Sequence, residues 1–378
     1  MQHVLPLLET CPKSMQIGPC GGVGGDGGCE IRPSVRCTFI DGTQEAVGQL
    51  EPRDGSGAAV PRSGGMFEQG LRAGRFMIVA EVNGADTADA SSFTAAARTL
   101  ADLADVVSVT DHSGANVHMG NVAATAHLLR AGVEAMPTFS CRDRNRIALQ
   151  GDLLGVASLG VSNVLVVTGN HVEVGDSPQA RPVFDLDSTR LIRVAADLRD
   201  HGRLDNGREV ESAPRYLIGA AAHPFAPPYD RRPRHVLRKV EVGADFLITQ
   251  HIFDLPLWRR FLADVNETRA GVPEFFLLGG VAVLPDEPTA RRVNAGLRGF
   301  SIPEQTLARL RRSADPGAEG IAIAAETVAE LAHSPGVSGC LLAPVTGRTN
   351  ALTASAEQAD ILGAVLEKAG LSGQRVAA

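Results

Sequence analysis

Ala157-Ser158-Leu159-Gly160-Val161-Ser162-Asn163-Val164-Leu165-Val166-Val167-Thr168-Gly169 changes its pattern midway. Residues 142–159 have a helix pattern, whereas 163–169 form a short β-branched run of the kind that makes a buried strand. Gly160 stands between them, where a left-handed residue ends a helix just before the next strand. Ala131-Gly132-Val133 and Val242-Gly243-Ala244 repeat the same ending. Working outward, strand runs fall at 76–82, 105–110, 134–140, 163–169, 216–222, 246–253, 275–284 and 336–344. Helix patterns lie between them, for example at 91–103, 121–131, 142–159, 188–200, 234–242 and 321–332. Eight alternations predict an α/β fold, a (β/α)8 TIM barrel, with an open doubly wound sheet as the alternative.

The rest of the composition agrees with a globular enzyme-sized chain. At roughly 150 residues per domain, 378 residues allow two or three domains, or one large barrel with an appendage. With 44% apolar and 21% charged residues, neither a disordered tail protein nor a coiled coil fits. A net charge of −7 argues against a nucleic-acid scaffold, and one Trp with two Tyr leaves no stacking platform for single strands. No apolar run approaches the ~18 residues that would span a bilayer. Met1-Gln2-His3 does not open a secretory signal, so the expectation is a soluble cytoplasmic protein with no membrane or nucleic-acid partner.

Four of the six cysteines, Cys11, Cys20, Cys29 and Cys37, fall in the first tenth of the chain. In a reducing compartment such a cluster reads as a metal site before a disulfide framework. The intervals of eight, eight and seven residues contain no short C-x2-C knuckle, so spacing leaves both a four-thiolate site and four unrelated thiols open. Gly/Ser/Pro-rich residues 42–65 read as a linker. The expected organisation is therefore a cysteine-rich metal-binding module at 1–41, a linker at 42–65 and the barrel at 66–378.

In a barrel the chemistry sits at the C-terminal ends of the strands. Those ends carry Glu81, Thr110-Asp111-His112, Ser140-Cys141-Arg142-Asp143, Thr168-Gly169-Asn170-His171, His223, Gln250-His251 and Arg348. Thr110 and Ser140 have a plain alternative as helix caps, and Asp143 as an acid in the first turn of a helix. Glu81 interrupts the apolar run Phe76-Met77-Ile78-Val79-Ala80 where its strand should reach the mouth. A carboxyl in that setting has a raised pKa and can act as a general acid, the alternative being a structural salt bridge. Gln250 follows Phe246-Leu247-Ile248-Thr249 in the same way, and its amide both donates and accepts.

The barrel resembles methylenetetrahydrofolate reductase. The matching stretches are Val107-Ser108-Val109-Thr110-Asp111, the run from Cys141-Arg142-Asp143-Arg144-Asn145-Arg146 to Gly151-Asp152-Leu153-Leu154-Gly155, Asn163-Val164-Leu165-Val166-Val167-Thr168-Gly169, Pro182-Val183-Phe184-Asp185-Leu186-Asp187-Ser188, and Gly243-Ala244-Asp245-Phe246-Leu247-Ile248-Thr249-Gln250. The cysteine segment resembles the small zinc-binding domain found beside or fused to such reductases in some bacteria. That resemblance implies Zn on Cys11, Cys20, Cys29 and Cys37, with an iron–sulfur cluster as the other option.

The resemblance also implies a folate one-carbon oxidoreductase that uses FAD and NAD(P)H to reduce 5,10-methylenetetrahydrofolate to 5-methyltetrahydrofolate. Carried over by motif, Glu81 is the general acid for imidazolidine ring opening, and Gln250, Asn170 and Arg348 bind folate. Thr110, Thr138, Gly169, Asn170, His223, Arg238 and Lys239 match the flavin side. Two positions depart from the family: Asn170 replaces its aspartate after the fourth-strand glycine, and Thr138 its third-strand histidine. Asn83-Gly84-Ala85 also replaces a proline-rich turn. Those departures leave open a flavin-free barrel, either a methylene- or methyl-transfer enzyme or a reductase fed directly by a nicotinamide. A non-catalytic folate-binding subunit is the other-class alternative, with a homo-oligomer or a protein partner engaged through the cysteine module.

Overall fold

The strand runs close on themselves. Among the residues described, the strands are β1 (Met77–Val82), β2 (Val106–Val109), β3 (Ala135–Ser140), β4 (Asn163–Val167), β5 (Leu217–Ala222), β6 (Phe246–His251), β7 (Phe276–Val283) and β8 (Gly339–Pro344). Each pairs in parallel with its successor, and β8 pairs with β1 through Met77 opposite Gly339, so the sheet is a closed barrel. The structure, a computed structural model, describes residues 11–40, 50–53, 61–296, 299, 301–344 and 356–371.

The helices are α1 (Met66–Arg72), α2 (Ser91–Ala101), α3 (Asn121–Arg130), α4 (Arg146–Ser158), α5 (Ser188–His201), α6 (Arg232–Glu241), α7 (Leu255–Thr268), α8 (Glu287–Gly296), α9 (Glu304–Arg312), α10 (Pro316–His333) and α11 (Ala356–Lys368). The glycines that end α3, α4 and α6 have the left-handed backbone their position implied: φ is 79° at Gly132, 89° at Gly160 and 125° at Gly243. Helix α4 starts later than its pattern suggests, because the Asn145 side chain caps it by accepting from the N–H groups of Ile147 and Ala148, both at 3.1 Å. Residues 142–145 are thereby released into the mouth of the barrel.

Two cores result. Outside the sheet, buried faces such as Leu100 of α2, Leu128 of α3, Leu153 of α4 and Trp258 of α7 cover the strands. Inside, alternate residues including Val79, Met136, Leu165, Leu217, Ile248 and Leu341 fill the barrel. Helix α1 closes its floor: Phe67 and Leu71 join the interior cluster, and the Phe67 ring meets that of Phe246, the first residue of β6, edge-on at 5.6 Å. Because the lower barrel is packed solid, open space is confined to the layer above, at the C-terminal ends. No helix among the described residues is long and apolar enough to cross a membrane.

Candidate active site

Strand alternation decides what faces that layer. Val79 points into the barrel, so Glu81, two residues on, points the same way one level higher, and Gln250 stands over Ile248 by the same rule. Both line a cavity of about 370 Å³ at the mouth, with Thr110, Thr138, Gly169, Asn170 and His223. The structure thus brings together seven of the barrel residues singled out from sequence. Arg348 lies outside the described residues.

Burial alone pushes the Glu81 carboxyl up to about 7. It has no ion-pair partner among the described residues, so the salt-bridge alternative has no support there. The same cavity has buried polar atoms without partners, Thr138 Oγ1 and His223 Nδ1, of the sort that a polar ligand or water satisfies. Burial, reinforced by Lys239, Arg232 and Lys13, holds His223 well below the usual imidazole range, hence neutral. Burial likewise takes His251 down to about 4.

The loops above the strands are tied together by Arg142, a residue that sequence reasoning placed at the mouth without a role. Its buried guanidinium donates to the carbonyls of His112 at 3.2 Å and Asn170 at 3.3 Å, and to the Asp143 carboxylate at 2.6 and 2.7 Å. It therefore fixes the loops after β2, β3 and β4 relative to one another. Gly169 is required beneath it: φ is +88°, and a Cβ would come within 2.1 Å of Ser140 Oγ. Neither Thr110 nor Ser140 caps a helix. Thr110 Oγ1 instead donates to Asn83 Oδ1 at 2.7 Å, and Ser140 Oγ accepts from the Arg142 N–H at 3.2 Å. Asp143 is likewise not in a first helical turn, since α4 begins at Arg146.

The N-terminal segment enters this site. Lys13, Cys20, Gly21, Gly22 and Glu30 line the same cavity, and Lys13 Nζ donates to the Gly169 carbonyl at 3.0 Å while pairing with Glu30. Burial opposes the charge on Lys13, but neighbouring Cys20 and the Glu30 carboxylate leave its pKa raised, so it remains a cation. Sequence reasoning missed both residues as site components. The one available signal was rarity: Lys13 is one of three lysines.

The expected four-thiolate site is not shown among the described residues. All four N-terminal cysteines are free, and among the described residues no group of three or more His, Cys, Asp or Glu side chains is arranged to hold a metal ion. Cys11, Cys20 and Cys37 pack instead around the small apolar pair Met15 and Phe39. Burial pushes the Cys20 thiol up to about 11 and raises that of Cys37.

Two of the residues assigned to the flavin side lie off the cavity. Arg238 and Lys239 are not among the residues lining the cavity. Arg238 donates to Glu241 Oε2 at 3.1 Å and to the Leu50 carbonyl, while Lys239 Nζ donates to the Ala221 carbonyl at 2.6 Å. Burial lowers Lys239 to about 8. Of the other positions, Gly169 has its carbonyl occupied by Lys13, and His223 lies against Gly21 so closely that a Cβ there would be 2.2 Å from Nδ1. Five of the seven positions assigned to the flavin side thus line the cavity, and Arg238 and Lys239 do not.

The fold is a closed parallel barrel whose mouth cavity holds a burial-raised acid and an amide. The profile of the family described as "Methylenetetrahydrofolate reductase" matches residues 66–343, and the chain belongs to that family. A second profile, "Methylene-tetrahydrofolate reductase C terminal", matches residues 3–54. A Caenorhabditis elegans protein named "Probable methylenetetrahydrofolate reductase (NADPH)" is 25% identical over 183 residues, 47% of this chain and 24% of that protein. The chain thus matches about a quarter of that relative's length. A Clostridium thermocellum protein described as binding two copies of 5-methyl-5,6,7,8-tetrahydrofolic acid shares the fold, with a TM-score of 0.56 at 11% identity over 81% of this chain and 98% of that one.

Proposed function

We propose that this chain reduces 5,10-methylenetetrahydrofolate to 5-methyltetrahydrofolate at the barrel mouth, with NAD(P)H as the source of hydride. The observation that carries the reading is Glu81, a carboxyl raised to about 7 by burial alone, in one cavity with Gln250. Opening the imidazolidine ring leaves a basic nitrogen and a cationic iminium. An acid near pH 7 is half protonated under working conditions and so can supply the proton that the departing nitrogen takes. Gln250 pairs with the lactam and amine edge of the pterin, because its amide presents a donor and an acceptor side by side. Asn170, uncharged where the family has aspartate, keeps hydrogen bonding but contributes no charge to the iminium. Arg348 is assigned to the folate tail on its motif alone.

Family membership and the folate ligand of the clostridial barrel support this reading. Titration calorimetry with 5-methyltetrahydrofolate tests it. Saturable binding that weakens in Gln250→Ala is expected, and no binding to the full chain would refute it.

A further inference from the structure

The N-terminal segment is built into the mouth on the side where the resemblance would put a flavin. Four contacts fix it there. The Asp187 carboxylate, which also caps α5 through the Arg190 N–H at 2.9 Å, accepts from the N–H groups of Gln16 and Ile17 at 3.2 Å each. Buried Arg232, at the start of α6, donates to the carbonyls of Pro19 at 3.3 Å and Cys20 at 3.1 Å. Arg231 donates to the Ile40 carbonyl at 2.9 Å. Lys13 completes the set on Gly169, the residue that follows β4 and Thr168. Gly21 allows the close approach, since a Cβ there would come within 2.2 Å of the His223 ring.

These contacts fall on the loops after β4 and β5, and they engage or cover the Gly169 and His223 assigned to flavin by motif. What remains is a cavity of about 370 Å³, at the small end of the roughly 300–1,000 Å³ of small-molecule sites.

Resting on the folate reading above, we propose that the N-terminal segment is a specificity element of the active site: Lys13, Gly21 and Glu30 fill the flavin side, and hydride passes directly from a dihydronicotinamide to the folate. The C4–H bond of the dihydronicotinamide breaks and a C–H bond forms at the methylene carbon. Its electron pair reduces the iminium to the methyl amine, leaving an oxidised nicotinamide cation. The nitrogen released by ring opening takes one proton from Glu81, which recovers it from water. The balance is one NAD(P)H and one proton consumed per methyl group formed.

Two measurements on the full chain test this. The first is an absorbance spectrum of the purified protein between about 350 and 500 nm, the range of flavin absorption, followed by titration of FAD read as quenching of flavin fluorescence. No band and no saturable quenching are expected; one equivalent of bound FAD would overturn the proposal. The second is a single turnover with dihydronicotinamide deuterated at C4 on either face, followed by mass analysis of the product. Direct transfer places deuterium from one of the two faces in the new methyl group. Product that carries solvent hydrogen from both, or no oxidation of the nicotinamide while 5-methyltetrahydrofolate still binds, would equally overturn it. Folate affinity, measured separately, decides the underlying reading: failure to bind folate removes that reading, while the FAD titration still decides whether the mouth accepts flavin.

Discussion

Glu81→Gln separates catalysis from scaffolding, because it keeps size and hydrogen bonding while removing the transferable proton. The carboxyl stands at about 7 in the folded chain against an ordinary 4.5. At 1.36 kcal/mol per pH unit, the folded state disfavours the Glu81 anion by about 3 kcal/mol. Folding therefore takes up a proton between pH 4.5 and about 7, and the wild-type chain loses that stability as pH rises across this window. The glutamine variant has no such loss. Its stability relative to wild type should grow by about 3 kcal/mol from below pH 4.5 to above pH 7, as read from denaturant midpoints at the two extremes. Turnover should move the other way, falling about 10²- to 10⁴-fold in single-turnover assays, with folate affinity only modestly changed. The wild-type rate should decline above about pH 7 as the acid form is depleted, a limb absent from the variant. A variant with near-normal turnover would refute the assignment of Glu81 as the acid, and an unchanged stability gap would refute its burial.

Other perturbations probe the surrounding structure. Gln250→Ala should weaken 5-methyltetrahydrofolate binding by about tenfold or more, the worth of one or two lost hydrogen bonds, with the melting temperature unmoved; unchanged affinity would remove the amide from pterin recognition. Phe67→Ala should cost about 3–5 kcal/mol in denaturant unfolding, since the ring is fully buried in the barrel floor against Phe246; a smaller loss would mean that α1 is not the plug described. Gly21→Val places a side chain where a Cβ already comes within 2.2 Å of His223, so limited proteolysis within residues 11–40 should accelerate while the barrel keeps its cooperative unfolding. Equal cleavage of variant and wild type would show that the segment does not dock on β5 as seen.

The barrel was legible in the sequence because its signals are local. A β-branched run, a glycine and a helix pattern repeat along the chain, and each reports only on its neighbours. Helices α7, α8, α9 and α11 were not among the patterns singled out: the short α9, for one, buries little more than Leu307 and Leu310 beneath an arginine-rich face, and its partners Glu319 and Glu326 lie on α10. Helix α1 was missed for a similar reason, since the role of Phe67 becomes visible only against Phe246, far along the chain.

Glu81 and Gln250 could be picked out from sequence, because a polar residue that breaks an apolar strand at its C-terminal end has few places to go but the mouth. Their shared cavity, and the absence of a described cation beside Glu81, are facts of strand closure that spacing does not encode. The N-terminal segment marks the limit most clearly. Sequence set its four cysteines apart and read them as a metal site, but where a glycine-rich segment lies depends on the surfaces that receive it. Here the receiving groups are Asp187, Arg232 and Gly169, more than 150 residues away in the chain. Sequence by itself determined the repeating unit and the polar residues that break it. Only the tertiary structure, by closing eight strands and laying the N-terminal segment over two of their loops, decided which of those residues share one space and how much of that space remains.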